Sequence, residues 1–229
     1  MEKVVLFGTG EIAELAHFYF QHDSECEYDV VAYTADDEFV DDDSFNGCPL
    51  VPFSGVEDRY PPSQFKGHVA LSYQKLNQVR EEKYHAMKGK GYELVSYVCS
   101  RGVSWPDLSV GENCLILENQ TIQPTVDIGN DVMVWSGNHL GHGCEIKDHT
   151  YISSHVCISG HTKIGKRCFL GVNSTLKDFV SVGSDVFIAM DASVTEDIES
   201  QSVVLGAQGK VLGGEKELAK KIKTKYFEI

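Results

Sequence analysis

The chain lacks any apolar run that approaches the length of a bilayer-spanning helix, so no membrane-embedded role is expected. Its opening, MEKVVLFGTGE, has an apolar run of only four residues, Val4 to Phe7, before glycine, too few for a secretory signal. It also lacks a recurrent CxxC pair. Seven cysteines, an odd number so spaced, fit neither a disulfide framework nor a zinc knuckle, and point to reduced thiols in a cytoplasm. Basic residues are in deficit, 20 against 34 acidic ones, for a net charge of −14. That balance argues against nucleic acid or an anionic membrane as partner, and any anionic ligand would need a locally basic or backbone-lined pocket.

What is present falls into two periods. Residues 3 to 99 alternate strand and helix. KVVLFG, YDVVAYTA, HVALSY and YELVSYV read as strands; EIAELAHFYFQH and LNQVREEKYHAMKGKG read as helices. Strands separated by helices imply a parallel sheet, hence a Rossmann-like α/β domain over 1–100. Gly8-Thr9-Gly10-Glu11-Ile12-Ala13 is a strand-to-helix turn in which glycines let backbone N–H groups approach a phosphate at a helix N-terminus. Asp36 and Asp37 end the second strand, where such folds place an acid that contacts a ribose or base.

From Val110 the period becomes six. An aliphatic residue recurs at every sixth position from Val110 through Ile116, Ile122 and onward to Val194, fifteen in strict register. The residue two places earlier is usually small or β-branched, as at Cys114, Val132, Cys144, Thr162 and Cys168. A hexapeptide repeat of this kind builds a parallel β-helix, expected over 101–213 with a C-terminal tail at 214–229. Three hexads make one triangular coil of eighteen residues, and coils stack at about 4.8 Å. Cys114, Cys144 and Cys168 then read as packing atoms, since buried thiols behave as small hydrophobes.

Five of the nine histidines crowd into Ser136–Gly165. Side chains that share an ion within one prism should differ by eighteen or thirty-six, and no pair among His139, His142, His149, His155 and His161 does. No metal is expected. His149, with Asp131 and Arg167 eighteen residues to either side, is expected in a surface polar ladder. His142 falls at the approach to a corner, between the small stacked neighbours Pro124 and Gly160, with His139 just upstream on the preceding flat face. A histidine beside open space is a candidate base, because the side chain changes charge near neutral pH. A surface histidine without a task is the alternative.

KVVLFGTGEIAELA, followed by NHLGHGCEI and SGHTKIGKRCFLGVNSTL, resembles the bacterial sugar acyltransferases with a left-handed β-helix. These are typified by sialic-acid O-acetyltransferase and by the N-acetyltransferases of nucleotide-linked 4-amino-4,6-dideoxy sugars. The resemblance runs to about Gly214. It implies a homotrimer that takes acetyl-CoA in grooves between neighbouring β-helices and a nucleotide sugar on the first domain, in surface-polysaccharide or O-antigen biosynthesis. The family's catalytic histidine falls on His142, where Gly143 follows in place of the acid found in many members, leaving the orienting acid unassigned. Substrate contacts are expected at Gly8, Thr9, Gly10, Glu11, Ile12, Asp36, Asp37 and His139; acetyl-CoA contacts at Gly160, His161, Gly171, Ala189 and Gly206. The glycine turn is assigned to a nucleotide-sugar diphosphate, not to NAD. Direct N-acetyl transfer to a nucleotide-linked amino sugar is the expected reaction. O-acetylation of a sugar hydroxyl and a non-catalytic nucleotide-binding module are its alternatives.

Overall fold

The computed structural model describes residues 1–207, 209 and 211–228. The first domain is a five-stranded sheet in the order β3-β4-β2-β1-β5, formed by β1 (Glu2–Phe7), β2 (Tyr28–Ala35), β3 (Ser44–Phe45), β4 (Cys48–Pro52) and β5 (Lys66–Val69). Only β3, a hairpin partner of β4, runs antiparallel. Alternation along β1 sends Val4 and Leu6 to one face and Val5 and Phe7 to the other. The first face packs on α1 (Glu11–His22) through Ala13, Ala16 and Phe20; the second packs on the short α2 (Val56–Arg59) and on α3 (Gln78–Gly89) through Val56, Tyr84 and Met87.

The remainder is a left-handed parallel β-helix with three flat sides. Face A carries the strands from Ser109–Val110 to Ser181–Val182, face B those from Tyr97–Val98 to Val203–Val204, and face C those from Thr121–Ile122 to Ser193–Val194. Paired strands lie eighteen residues apart, as Glu145↔Lys163 and His139↔Cys157 show, until the last coil, where Phe187 pairs with Val203. The aliphatic register fills the prism: every member from Ile116 to Val194 is buried, together with Cys114, Cys144 and Cys168. Two interior positions hold amides instead. Gln120 and Asn138 are buried and satisfied, Gln120 Nε2 donating to Trp135 O at 2.7 Å and Asn138 Oδ1 accepting from Val156 N at 2.6 Å.

Each corner turns on a residue with positive φ, among them Asp131 (55°), His149 (62°), His155 (59°), His161 (58°) and Arg167 (53°). Histidine, asparagine and aspartate enter this left-handed region more readily than other non-glycine residues. His149, His155 and His161 therefore step by six because they are corner residues.

Two expectations change. YELVSYV is not one strand of the first domain: Leu94 bridges Gly67 there, whereas Tyr97–Val98 already pairs with Leu115–Ile116 on face B. His149 does stand in a ladder with Asp131 and Arg167, but the ladder is not on the surface. His149 is 3% exposed, because α3 covers that corner. Beneath α3, Arg80 Nε meets Asp131 Oδ1 at 3.2 Å, Asn113 Nδ2 donates to the same oxygen at 2.7 Å, and His149 Nδ1 lies 2.8 Å from Asp131 Oδ2. The outward residues of face B, Leu115, Met133, Tyr151 and Phe169, pack into the first domain's core. At the other edge of face B, Asp23 at the end of α1 accepts hydrogen bonds from Tyr97 Oη (2.7 Å), Ser100 N (2.9 Å) and Ser100 Oγ (2.7 Å). The C-terminal α4 (Glu217–Phe227) is mostly exposed.

Candidate active site

Two places collect the expected residues. One is a cleft of about 390 Å³ at the carboxyl ends of β1, β2 and β5, lined by Gly8, Thr9, Gly10, Glu11, Ile12, Asp36 and Lys83 among others. The chain leaves β1 toward β2 on one side and β5 on the other, so this is the switch point where open α/β sheets bind ligands. Gly8 is required by geometry: its φ is +130° and a Cβ would stand 2.7 Å from Ala70 O. Gly10 is not; a Cβ there would meet nothing within 4 Å. α1 starts at this point without a capping side chain; the Ala13 N–H turns back to Gly10 O at 2.9 Å, while the Glu11 and Ile12 N–H groups make no hydrogen bond among the described residues and can receive an anion.

The two aspartates separate. Asp36 lines the cleft, but its carboxylate is bound by Lys83 Nζ at 2.9 Å. Burial alone would lower the Lys83 pKa; the hydrogen bonds to Asp36 and Glu82 outweigh it and raise it. Asp37 is not in the lining. It accepts the Ser54 N–H at 3.0 Å, and hydrogen bonds from Ser54 hold its carboxyl below the ordinary range. Lys83, the cation of the cleft, went unnoticed in the sequence because only the packing of α3 brings it beside β2.

The second place is the corner between faces C and A. His142 is exposed there and its ring lies over Gly160, where a Cβ would stand 2.7 Å from His142 Cε1. The space above His142 is thus filled by its own ring. The backbone N–H of His142 donates to Gln123 Oε1 at 2.9 Å, and His142 Nδ1 lies 3.1 Å from the same oxygen. The His142 and His161 rings meet edge to face at 4.8 Å, and His161 stacks on Phe179 at 5.0 Å. Phe179 is 69% exposed with φ +63°, a costly conformation for a bulky residue. Gly143 holds the corner at φ +67°, and a Cβ on it would come 2.5 Å from His161 Nδ1.

His139 is half-buried on face C, paired with Thr121 and Cys157; it lies on the prism and not at the cleft. The residues expected to hold acetyl-CoA divide between two edges. Gly160 and His161 share the corner of His142, whereas Gly171, Ala189 and Gly206 follow face B strands and line the opposite edge of face C. One chain does not bring these two sets together. Among the described residues, Glu81, His85 and His149 place ligand atoms within 4.8 Å of one another. Glu81 there already pairs with Arg167 at 3.2 Å, and spacing within the prism could not reveal the group, since two members come from α3.

Residues 125–160 match the family described as bacterial transferase hexapeptide (six repeats), and 161–196 the hexapeptide repeat of succinyl-transferase. The matched stretch is the hexapeptide prism. Curated relatives include the acyl-[acyl-carrier-protein]--UDP-N-acetylglucosamine O-acyltransferases of Sinorhizobium fredii, 28% identical over 113 residues, and of Rhizobium leguminosarum bv. trifolii, 31% identical over 113 residues. Each alignment takes in 46% of this chain and 42% of the relative, so the chain spans about two fifths of their length. Solved structures match far more of it. A histidine-to-asparagine mutant of perosamine N-acetyltransferase from Caulobacter crescentus, in complex with CoA and GDP-perosamine, superposes with a TM-score of 0.81 at 20% identity, over 93% of this chain and 98% of that one. The acetyltransferase domain of PglB from Neisseria gonorrhoeae gives 0.79 at 21% identity, over 93% and 100%. The chain has their fold.

Proposed function

We propose that the chain transfers an acetyl group from acetyl-CoA to the amine of a nucleotide-linked amino sugar, a 4-amino-4,6-dideoxy sugar in the reading favoured here, with His142 as general base. The observation that carries the proposal is the state of the His142 ring: exposed, held through Nδ1, with Nε2 making no hydrogen bond among the described residues. Nε2 takes a proton from the sugar amine as its nitrogen attacks the thioester carbonyl. The tetrahedral intermediate then collapses, the C–S bond breaks and CoA leaves as the thiol, with the proton returned by the imidazolium. The Gly160 N–H makes no hydrogen bond within the described residues and is available to the developing oxyanion. No cysteine or serine is tied to the base, so attack is direct.

The nucleotide belongs in the first-domain cleft, on the α1 N-terminus and Lys83. That the Caulobacter relative binds CoA and GDP-perosamine supports the pairing of substrates. Transfer to a hydroxyl is the second reading, since the same base serves either nucleophile. The test is free-thiol release from acetyl-CoA with UDP-, dTDP- and GDP-linked amino sugars and with sialic acid. His142→Ala should lower kcat by about 10²–10⁴ while acetyl-CoA still binds. Turnover within a few-fold of the parent removes His142 from this role, and silence with every acceptor favours a binding module.

A further inference from the structure

The family resembled here often places an acid directly after its histidine, and this chain does not. Gly143 occupies that position in the left-handed conformation, and the His161 ring stands where its side chain would begin. The partner of His142 comes from the coil below. Gln123 follows the face C strand Thr121–Ile122, and its own N–H is tied to Leu140 O at 2.9 Å, which fixes the base of its side chain. Its amide then faces two groups of His142, the backbone N–H at 2.9 Å and Nδ1 at 3.1 Å, through one atom.

The chemistry of that shared atom settles the proton. A backbone N–H can only donate, so the atom it meets is the amide oxygen and not the nitrogen. An oxygen that accepts from the backbone also accepts from Nδ1, which therefore carries hydrogen. In the neutral ring the lone pair is then on Nε2, the nitrogen facing away from Gln123. We infer that Gln123 is the positioning residue of His142, fixing its ring orientation and its Nδ1–H tautomer with a neutral amide in place of a carboxylate. A neutral partner orients the ring without favouring the imidazolium, as a carboxylate would.

The inference rests on the reading of His142 as base, and its test separates the two. In the full-length protein with labelled histidine, the imidazole nitrogen shifts of neutral His142 should report the Nδ1–H tautomer. Gln123→Ala should shift the population toward Nε2–H, the form free imidazoles favour. The same variant should lose about tenfold in kcat, the worth of one hydrogen bond of roughly 1.4 kcal/mol, with KM for acetyl-CoA unchanged. Gln123→Glu restores the acceptor and should recover turnover, while moving the acid limb of the kcat/KM profile up by about one pH unit.

An inactive His142→Ala beside a Gln123→Ala indistinguishable from the parent overturns the inference and leaves the base in place. A fully active His142→Ala overturns the base; the tautomer measurement then still decides whether Gln123 holds the ring. Loss in Gln123→Ala that Gln123→Glu neither rescues nor displaces in pH would mark a merely structural role and also overturn the inference.

Discussion

Gly8 and Gly10 look equivalent in the sequence and are not equivalent in the molecule. Gly8 sits at φ +130° against Ala70 O, so Gly8→Ala should cost about 1–3 kcal/mol of stability, read as a lowered urea midpoint. Gly10 faces open cleft with φ −109°, and Gly10→Val should leave the midpoint unchanged while raising KM for the nucleotide sugar. If Gly10→Val unfolds the chain, or weakens acetyl-CoA and spares the nucleotide, the cleft is misassigned. The histidines teach the same lesson. Spacing sets His149, His155 and His161 on successive corners, yet it could not say why histidines are there; the left-handed corner does. Gln123 was invisible because its relation to His142 crosses a coil at an offset of nineteen residues, one more than the eighteen that stack equivalent positions.

Among the elements, the six-residue register was fully legible, since one aliphatic residue per hexad must fill a prism with no room for error. The covered face was legible too, though it went unread. The outward position of face B is large and apolar at Leu115, Met133, Tyr151, Phe169 and Phe187, whereas face C carries Thr121, His139, Cys157, Thr175 and Ser193. From Leu115 to Phe169 that apolar face is covered by the chain's own first domain, and Phe187 stays exposed beyond it. What single-chain spacing could not supply was the docking of α1 and α3, which depends on contacts such as Asp23 with Ser100. Burial would raise the Asp23 pKa, but hydrogen bonds from Ser100 and Tyr97 outweigh it and hold the carboxyl well below its ordinary value. A depressed folded-state pKa gives stability that is present above the unfolded value near 3.8 and lost as pH falls through the folded one. Asp23→Ala should therefore cost about 1.5–3 kcal/mol at neutral pH, and the difference from the parent should shrink in acid below about pH 4. A gap that stays constant into strong acid would show that the carboxylate is not what docks α1.

At the scale of the whole molecule, the first domain lies on face B, and His142 lies on the edge where faces C and A meet, across the prism. The cleft proposed for the nucleotide and the base proposed for the reaction thus belong to opposite sides of one chain. The acetyl-CoA residues are divided in the same way, Gly160 and His161 on one edge of face C and Gly171, Ala189 and Gly206 on the other. We propose a cyclic trimer of parallel prisms, joined head to tail around its axis, which would set each edge against a different one of its neighbour and rejoin what a monomer separates. Sedimentation should then give three times the 25.4 kDa chain mass. The most direct measurement mixes two impaired chains under verified subunit exchange, at a nucleotide-sugar concentration far below the raised KM of the second: His142→Ala, which keeps its cleft, and Gly10→Val, which keeps its base. If the site is shared, random 1:1 hybrids place an intact base beside a neighbour's intact cleft at about a quarter of interfaces and should recover about that fraction of parental thiol release. Exchange without any recovery of activity would contradict a site built between chains.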